Sequence, residues 1–284
     1  MTHVLQVPIP FRCPGPELRQ RAGCTSNDEY TCWFSASCVS TLDVDTIPEA
    51  MEARQRALAA AALQRLQWHE LMEPSTIQLI LGEGRVRVLR RGDVLFHRNA
   101  EFQDIALILS GAIESSVMSV DGRKQVVAYG APGDILNLFA CFDGQRNAYD
   151  HVARTDGKVI LLSRHTVNEA RFADQRFTDL LISKICRIGR RAHQLLPSHS
   201  LLSLRKRCLL VLLQLADKFG VESSRGVAIG LKLSQEEVAD IVGCSRPKVN
   251  AEMKALERMG LIDVLYRCIH IVDYPRLLAL AMSD

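Results

Sequence analysis

The spacing of apolar and polar positions changes character along the chain, and each change marks an element. From about 85 to 163, short alternating runs follow one another: RVRVLRRGDVLFH, DIALILSGAIESSVMSV, KQVVAYGAPGDIL and HVARTDGKVILLS. Gly92, Gly111, Gly122, Gly133 and Gly157 punctuate them, a pattern that predicts a β-sandwich or jelly roll. Asp121-Gly122 is a strong hairpin signal. Ahead of the strands, Thr46-Ile47-Pro48-Glu49 reads as an N-cap, a first-turn proline and a carboxylate. The Ala-rich run that follows, to about Gln67, has high helix propensity. Residues 1–45 have little periodicity and are expected to be a flexible extension. Beyond the strands, Thr178, Leu181, Ile185, Ile188, Ala192 and Leu195 recur at 3-4-3-4-3 spacing. That seam fits two arrangements: parallel pairing with a second copy, or a single amphipathic helix lying on its own roll. Pro197 is expected to end this helix and to provide a hinge to Ser200.

Residues 234–260, SQEEVADIVGCSRPKVNAEMKALERMG, carry the most chemistry. Ser234 and Glu237 have the spacing of a capping box, and Val238, Ile241 and Val242 form an apolar stripe. Gly243 suits a turn with positive φ. Ser245 is then expected to cap a second helix, with Pro247 tolerated in its first turn and Val249, Met253 and Leu256 buried. Arg246, Asn250, Lys254 and Arg258 recur at +4 on another face, which holds three cations, an amide and no carboxylate. This is the pattern of a helix-turn-helix whose second helix enters the DNA major groove. Arginine pairs with guanine, asparagine with adenine and lysine with phosphate. Residues 261–272 give two short β-rich runs around Tyr266-Arg267, the strand-turn-strand of a wing, with Arg267 placed to reach a phosphate. The expected DNA contacts are Ser245, Arg246, Lys248, Asn250, Lys254 and Arg267.

Ile241-Val242-Gly243-Cys244-Ser245-Arg246 resembles the helix-turn-helix of the cyclic-AMP receptor protein/FNR family of bacterial regulators, and the likeness extends from about residue 68 to the end. It implies an α+β architecture: an N-terminal β-roll of the cyclic-nucleotide-binding type, a long dimerisation helix and a C-terminal winged helix-turn-helix. On that plan residues 1–45 are the extension, 46–163 the leading helices and roll, 164–197 the dimerisation helix and 198–284 the reader. Leu181, Ile185, Ile188, Ala192 and Leu195 would carry the dimer contact. The family's DNA helix usually carries a Glu directly after the Arg or one turn before it, and often a second Arg. Pro247 follows Arg246, and Ala251 stands where the second Arg would be.

In cyclic-nucleotide binders of this family a Gly-Glu pair holds the ribose and an Arg-Ser/Thr pair clamps the phosphate. The matching positions are Asn137-Leu138 and Arg146-Asn147, and Ala192-His193 replace the Thr-Ser pair that faces the adenine. Only Arg146 survives, so the effector site implied by Asn137, Leu138, Arg146, Asn147 and His193 is expected to take something other than cyclic AMP. Cys24, Cys32 and Cys38, with Cys13 upstream and Cys141 in the LFACF run, give a second reading. FNR-type regulators hold an iron–sulfur cluster on N-terminal thiolates. The spacing Cys24-x7-Cys32-x5-Cys38 lacks the family's Cys-x2-Cys pair. The eight histidines offer no spacing that singles out a haem ligand, so no cofactor is assigned.

Composition narrows the class. At 284 residues, 48% hydrophobic and 24% charged, the chain has room for about two globular domains. No apolar stretch approaches the ~18 residues of a membrane span, and the N-terminus lacks a secretory signal pattern. Nine cysteines without such a signal fit reduced thiols and a cytoplasmic protein. Net charge is +3, but Lys184, Arg187, Arg190, Arg191, Arg205, Lys206 and Arg207 fall in a stretch without acids and could add phosphate contacts. No paired nucleophile and base, metal spacing or phosphate loop indicates an enzyme. The expected partners are palindromic duplex DNA, a second copy of the chain and RNA polymerase. The alternative is an effector-binding module that regulates a partner protein.

Overall fold

The computed structural model describes residues 46–119, 122, 124–265 and 268–282, with the backbone alone for 46–52 and 191–201. Cys13, Cys24, Cys32, Cys38 and Arg267 lie outside the described residues. Helix α1 (Thr46–Arg65) follows the Ala-rich run and buries Ala59, Ala62 and Leu63. A single 3-10 turn, Trp68–Glu70, leads to α2 (Pro74–Glu83), which opens on a first-turn proline.

The alternating runs form two four-stranded antiparallel sheets. Strands β1 (Arg85–Leu89), β2 (Val94–Phe96), β3 (Asp104–Ser110), β4 (Ile113–Met118), β5 (Lys124–Gly130) and β6 (Ile135–Leu136) come first. Helix α3 (Leu138–Asp143), β7 (Asp150–Ala153) and β8 (Gly157–Ser163) complete the roll. The orders are β1-β8-β3-β6 and β2-β7-β4-β5. Strand β3 explains its own unbroken apolar run. Ile105, Leu107 and Leu109 pack in one cluster with the flanking helices, while Ala106 and Ile108 pack in another between the sheets. At the β3–β4 turn Gly111 has φ +86°, and a Cβ there would lie 2.7 Å from the Asp156 carbonyl oxygen, so no other residue fits.

The segment expected to be one dimerisation helix is two, α4 (Arg164–Ala173) and α5 (Gln175–Leu201), broken at Asp174. The buried Asp174 carboxylate accepts from the N–H groups of Arg176 and Phe177, capping α5, and from Glu73 N–H and Thr76 Oγ1 of α2. Burial works against its charge, but these donors outweigh burial and hold the carboxyl below the usual aspartate range. Pro197 does not end α5, whose backbone stays helical to Leu201. A proline inside a helix removes its own N–H and crowds the carbonyl four residues back, so α5 carries Pro197 at a cost in stability. The break falls at Ser203, whose side chain accepts from Lys206 N–H and caps α6 (Leu204–Phe219).

The expected seam is also divided. Leu181 is 1% exposed and packs with Phe177 into the core of its own roll, and Ile185 is half-buried against the same core. Leu181 is therefore a core residue of the protomer. The exposed apolar residues on this stretch of α5 are Ile182, 53% accessible, and Ile188 of the expected seam, 36% accessible, with Cys186 exposed between them.

After α6 comes a hairpin the sequence pattern did not predict, β9 (Gly220–Ser223) and β10 (Gly226–Ile229). Then follow α7 (Gln235–Val242), α8 (Arg246–Arg258), β11 (Ile262–Leu265), β12 (Cys268–Ile271) and α9 (Tyr274–Met282). The expected wing strands pair antiparallel and extend β9–β10 into a sheet of order β11-β12-β10-β9. Ala112, Val126 and Tyr129 of the roll are buried in the same cluster as the reader's Leu212, Val238 and Leu256. Roll and reader therefore share a core, and residues 56–284 form one unit.

Candidate nucleic-acid interface and sensor cavity

The reader is built locally. Ser234 Oγ accepts from Glu237 N–H at 3.2 Å while the Glu237 carboxylate accepts from Ser234 N–H at 2.6 Å, a complete capping box. Gly243 takes φ +69° and ends α7, turning the chain into α8 within three residues. Val238, Val242, Val249, Met253 and Leu256 are buried beneath the pair. Ser245 sits at the N-cap of α8 but makes no side-chain cap bond. Its hydroxyl stays exposed beside Arg246.

Arg246, Lys248, Lys254 and Arg258 are exposed on α8, and Asn250 is half-buried between them. Among the described residues none of their side chains forms an ion pair or hydrogen bond. The acids of the same helix are engaged elsewhere: Glu252 pairs with Arg205 at 3.0 Å, and Glu257 accepts from Val264 N–H at the wing. The outward face of α8 therefore carries unbalanced positive charge.

Much of the upstream basic run has internal work instead. Arg207 donates to the Val242 and Gly243 carbonyls, closing the C-terminus of α7, and Lys184 and Arg187 turn toward the roll.

The effector positions separate. Asn137 and Leu138 line a cavity of about 190 Å³ between the roll, α5 and α6. Asn147 is buried behind it, bonded to Asn137 Nδ2 and the His97 carbonyl, and serves the fold. Arg146 lies outside the cavity, 65% exposed, donating to the Asn99 carbonyl and facing Glu101. The His193 side chain lies outside the described residues. Cys141 is 5% exposed within the roll core, and burial pushes its thiol up, which suits packing better than ligation. Among the described residues no cluster of His, Cys, Asp or Glu could hold a metal.

Two features were missed. The first is a group of cations at the cavity: Lys184 and Arg187 from α5 and Lys218 from α6, around Asp134. Lys184 and Arg187 fell in the acid-free stretch, expected to add phosphate contacts, and Lys218 carried no sequence signal. The second is a polar chain from sensor to reader. Lys124 and Arg154 pair with the buried Glu114, and Arg154 pairs in turn with Glu237 of the capping box. Tyr129 lies 3.5 Å from Glu114, and burial, then that carboxylate's charge, push its hydroxyl above its ordinary range.

Two domain models match in the order the fold shows: a cyclic nucleotide-binding domain at residues 86–174 and a Crp-like helix-turn-helix domain at 206–280. A CRP-like cAMP-activated global transcriptional regulator of Mycobacterium tuberculosis is 24% identical over 206 residues, covering 72% of this chain and 92% of its own. The solved structure of FixK2 from Bradyrhizobium japonicum superposes with TM-score 0.63 at 20% identity, over 71% of this chain and 98% of that one. A CRP-family transcriptional regulator from Thermus thermophilus gives 0.59 at 25% identity, over 70% and 97%. With both domain models matched on this topology, the chain belongs to the cyclic-AMP receptor protein/FNR family of transcription regulators.

Proposed function

We propose that this protein is a homodimeric, sequence-specific DNA-binding regulator whose roll senses a small effector other than cyclic AMP. The observation that carries the DNA reading is the face of α8, where Arg246, Lys248, Lys254 and Arg258 have no ion pair or hydrogen bond among the described residues and both glutamates are engaged elsewhere. A lone surface helix would gain by pairing those charges; a DNA reader keeps them for phosphate and base edges. Duplex DNA from a random pool, selected on the wild-type protein, supplies the specific site. Arg246→Ala is expected to lose about 1–3 kcal/mol of discrimination between that site and random duplex, while random-duplex affinity falls far less. Equal loss on both duplexes makes Arg246 a phosphate contact, and no selectable site at all refutes the reading.

A palindrome requires two readers about 34 Å apart, hence a dimer. The support is Ile182, exposed on a helix whose other face is already buried, with Cys186 and Gly189 continuing its line at +4 and +7. Ile182→Glu is expected to give monomers in sedimentation with an unchanged melting temperature per protomer, and to abolish selected-site binding. Leu181 is unsuitable for this test because its loss empties the protomer's own core. A dimer that survives Ile182→Glu places the contact elsewhere. Cytoplasmic residence and contact with RNA polymerase follow from this reading; no helix among the described residues is long and apolar enough to cross a membrane.

A further inference from the structure

The cavity is walled mainly by apolar side chains, among them Leu136, Leu138, Ile188, Val211 and Leu215. Its polar end is unusual. Lys218 Nζ donates to Asp134 Oδ2 at 2.6 Å and to the Tyr129 carbonyl at 2.7 Å. Lys184 Nζ donates to the Gly133 carbonyl at 2.6 Å, and Arg187 stands 3.9 Å from Asp134 Oδ1. Asp134 is the one carboxylate among the lining residues, so three cations face a single anion and two positive charges are left over. Each ammonium has three donors. Lys218 spends two of them here and Lys184 one, which leaves donors for a further acceptor.

Burial opposes the charge on Asp134, yet Lys218 and then Ala131 N–H hold its carboxyl below the usual range. Burial draws Lys184 below the usual lysine range, with Asp134 opposing. An uncompensated, partly buried cation is costly unless an anion joins it.

We propose that this cavity takes a small organic anion, a carboxylate on an apolar body about the size of one aromatic ring, with the carboxylate seated among Lys184, Arg187 and Lys218. The inference rests on the reading of the chain as an effector-controlled regulator and assigns that effector its chemical class. Size sets the body: an apolar cavity of about 150 Å³ accepts a benzene ring, and this one measures about 190 Å³. A nucleotide does not match, because the one acid that could meet a sugar hydroxyl is already held by Lys218, and Arg146 is outside.

The position also gives the anion a lever. Lys184 and Arg187 belong to the helix proposed to pair protomers, and Lys218 belongs to the first helix of the reader. An anion among them ties α5 to α6 and favours whichever arrangement brings the cations together, in proportion to its differential affinity.

The test is calorimetric titration of the full chain with phenylacetate, benzoate and the neutral phenylacetamide, each at millimolar concentration. Phenylacetate or benzoate is expected to bind saturably and raise the melting temperature, and phenylacetamide to do neither. Lys218→Gln and the more exposed Arg187→Gln are each expected to weaken acid binding roughly 10-fold, and Arg146→Gln to leave it unchanged. Should Lys218→Gln fail to fold, Arg187→Gln decides. Equal binding of the amide, absence of acid binding, or indifference to Arg187→Gln overturns the proposal. Selection of a DNA site on the same preparation separates the two readings, since a regulator with a different effector still binds DNA.

Discussion

Acidification from pH 7 to pH 4 is expected to cost this fold about 3 kcal/mol through one side chain, His151. The imidazole is 3% exposed, its Nδ1 lies 2.9 Å from Ser115 Oγ, and Phe96 and Tyr149 meet it edge-on. Burial lowers its pKa from 6.5 to about 4, against a weaker opposing pull from Asp150. The folded state therefore keeps His151 neutral where the unfolded chain binds a proton. Stability is full above pH 6.5, falls as pH drops from 6.5 towards 4, and stops falling below that, where both states are charged. The drop of about 2.5 units corresponds to about 3 kcal/mol, at most about 1.4 kcal/mol per pH unit. Asp134 and Asp174, held low, lose their contributions only below their unfolded value of 3.8. Asp240, raised by burial and by Glu236, works in the opposite direction. Urea unfolding at fixed protein concentration, compared between wild type and His151→Gln, isolates the histidine. The variant should lose most of the slope between pH 6.5 and 4, whatever its absolute stability. Parallel pH curves for the two proteins would show that His151 titrates normally in the fold.

The parts of this molecule that could be read from the sequence are those decided by near neighbours. The capping box, the positive-φ Gly243, the first-turn Pro247 and the buried Val249, Met253 and Leu256 all lie within one hairpin of helices, where 3.6-residue spacing suffices. The strands of the roll were legible because glycine turns cut them to length. What escaped was decided at long range. Asp174 breaks a helix-like run because it answers donors on Glu73 and Thr76, about a hundred positions earlier. Spacing put Leu181 on an apolar stripe and left Ile182 off it, but only the fold shows that Leu181 meets its own roll while Ile182 is exposed. Arg146 matched a family motif in sequence but points away from the cavity, whereas Lys218 matched nothing and reaches it. The cavity's cations come from two helices and its carboxylate from a strand turn, and no window along the chain contains all four.

The same long-range logic governs the second large effect, expected for Arg154→Met. Arg154 stands between two carboxylates, Glu114 in the roll and Glu237 at the start of α7. Glu114 is fully buried, and apart from Tyr129 at 3.5 Å its compensation is ionic, from Lys124 and Arg154. Methionine keeps the stem of the side chain but leaves Glu114 with Lys124 as its one remaining paired cation and takes Arg154 away from Glu237. Breaking a buried pair in this way costs about 3–5 kcal/mol, and the remaining lysine places the expected loss near the lower end, about 3 kcal/mol. Most of that loss is the burden of an under-compensated buried charge, so removing the charge should restore part of it. Glu114→Gln combined with Arg154→Met is expected to be more stable than Arg154→Met alone, a coupling readable in a double-mutant cycle. Hydrogen exchange localises the effect, because Glu237 also caps α7: the first-turn amides of that helix should open more readily in Arg154→Met while the roll's inner strand β3 stays protected. Additive single losses would mean that Glu114 and Arg154 act independently. Faster exchange in β3 would mean that Arg154 supports the roll itself and is not a tie from roll to reader. A tie of this kind joins the one carboxylate that completes the reader's capping box to a carboxylate sealed inside the sensor, so any rotation of the reader against the roll must break or remake it. The stability lost in Arg154→Met is then also a measure of how firmly the sensor holds the reader.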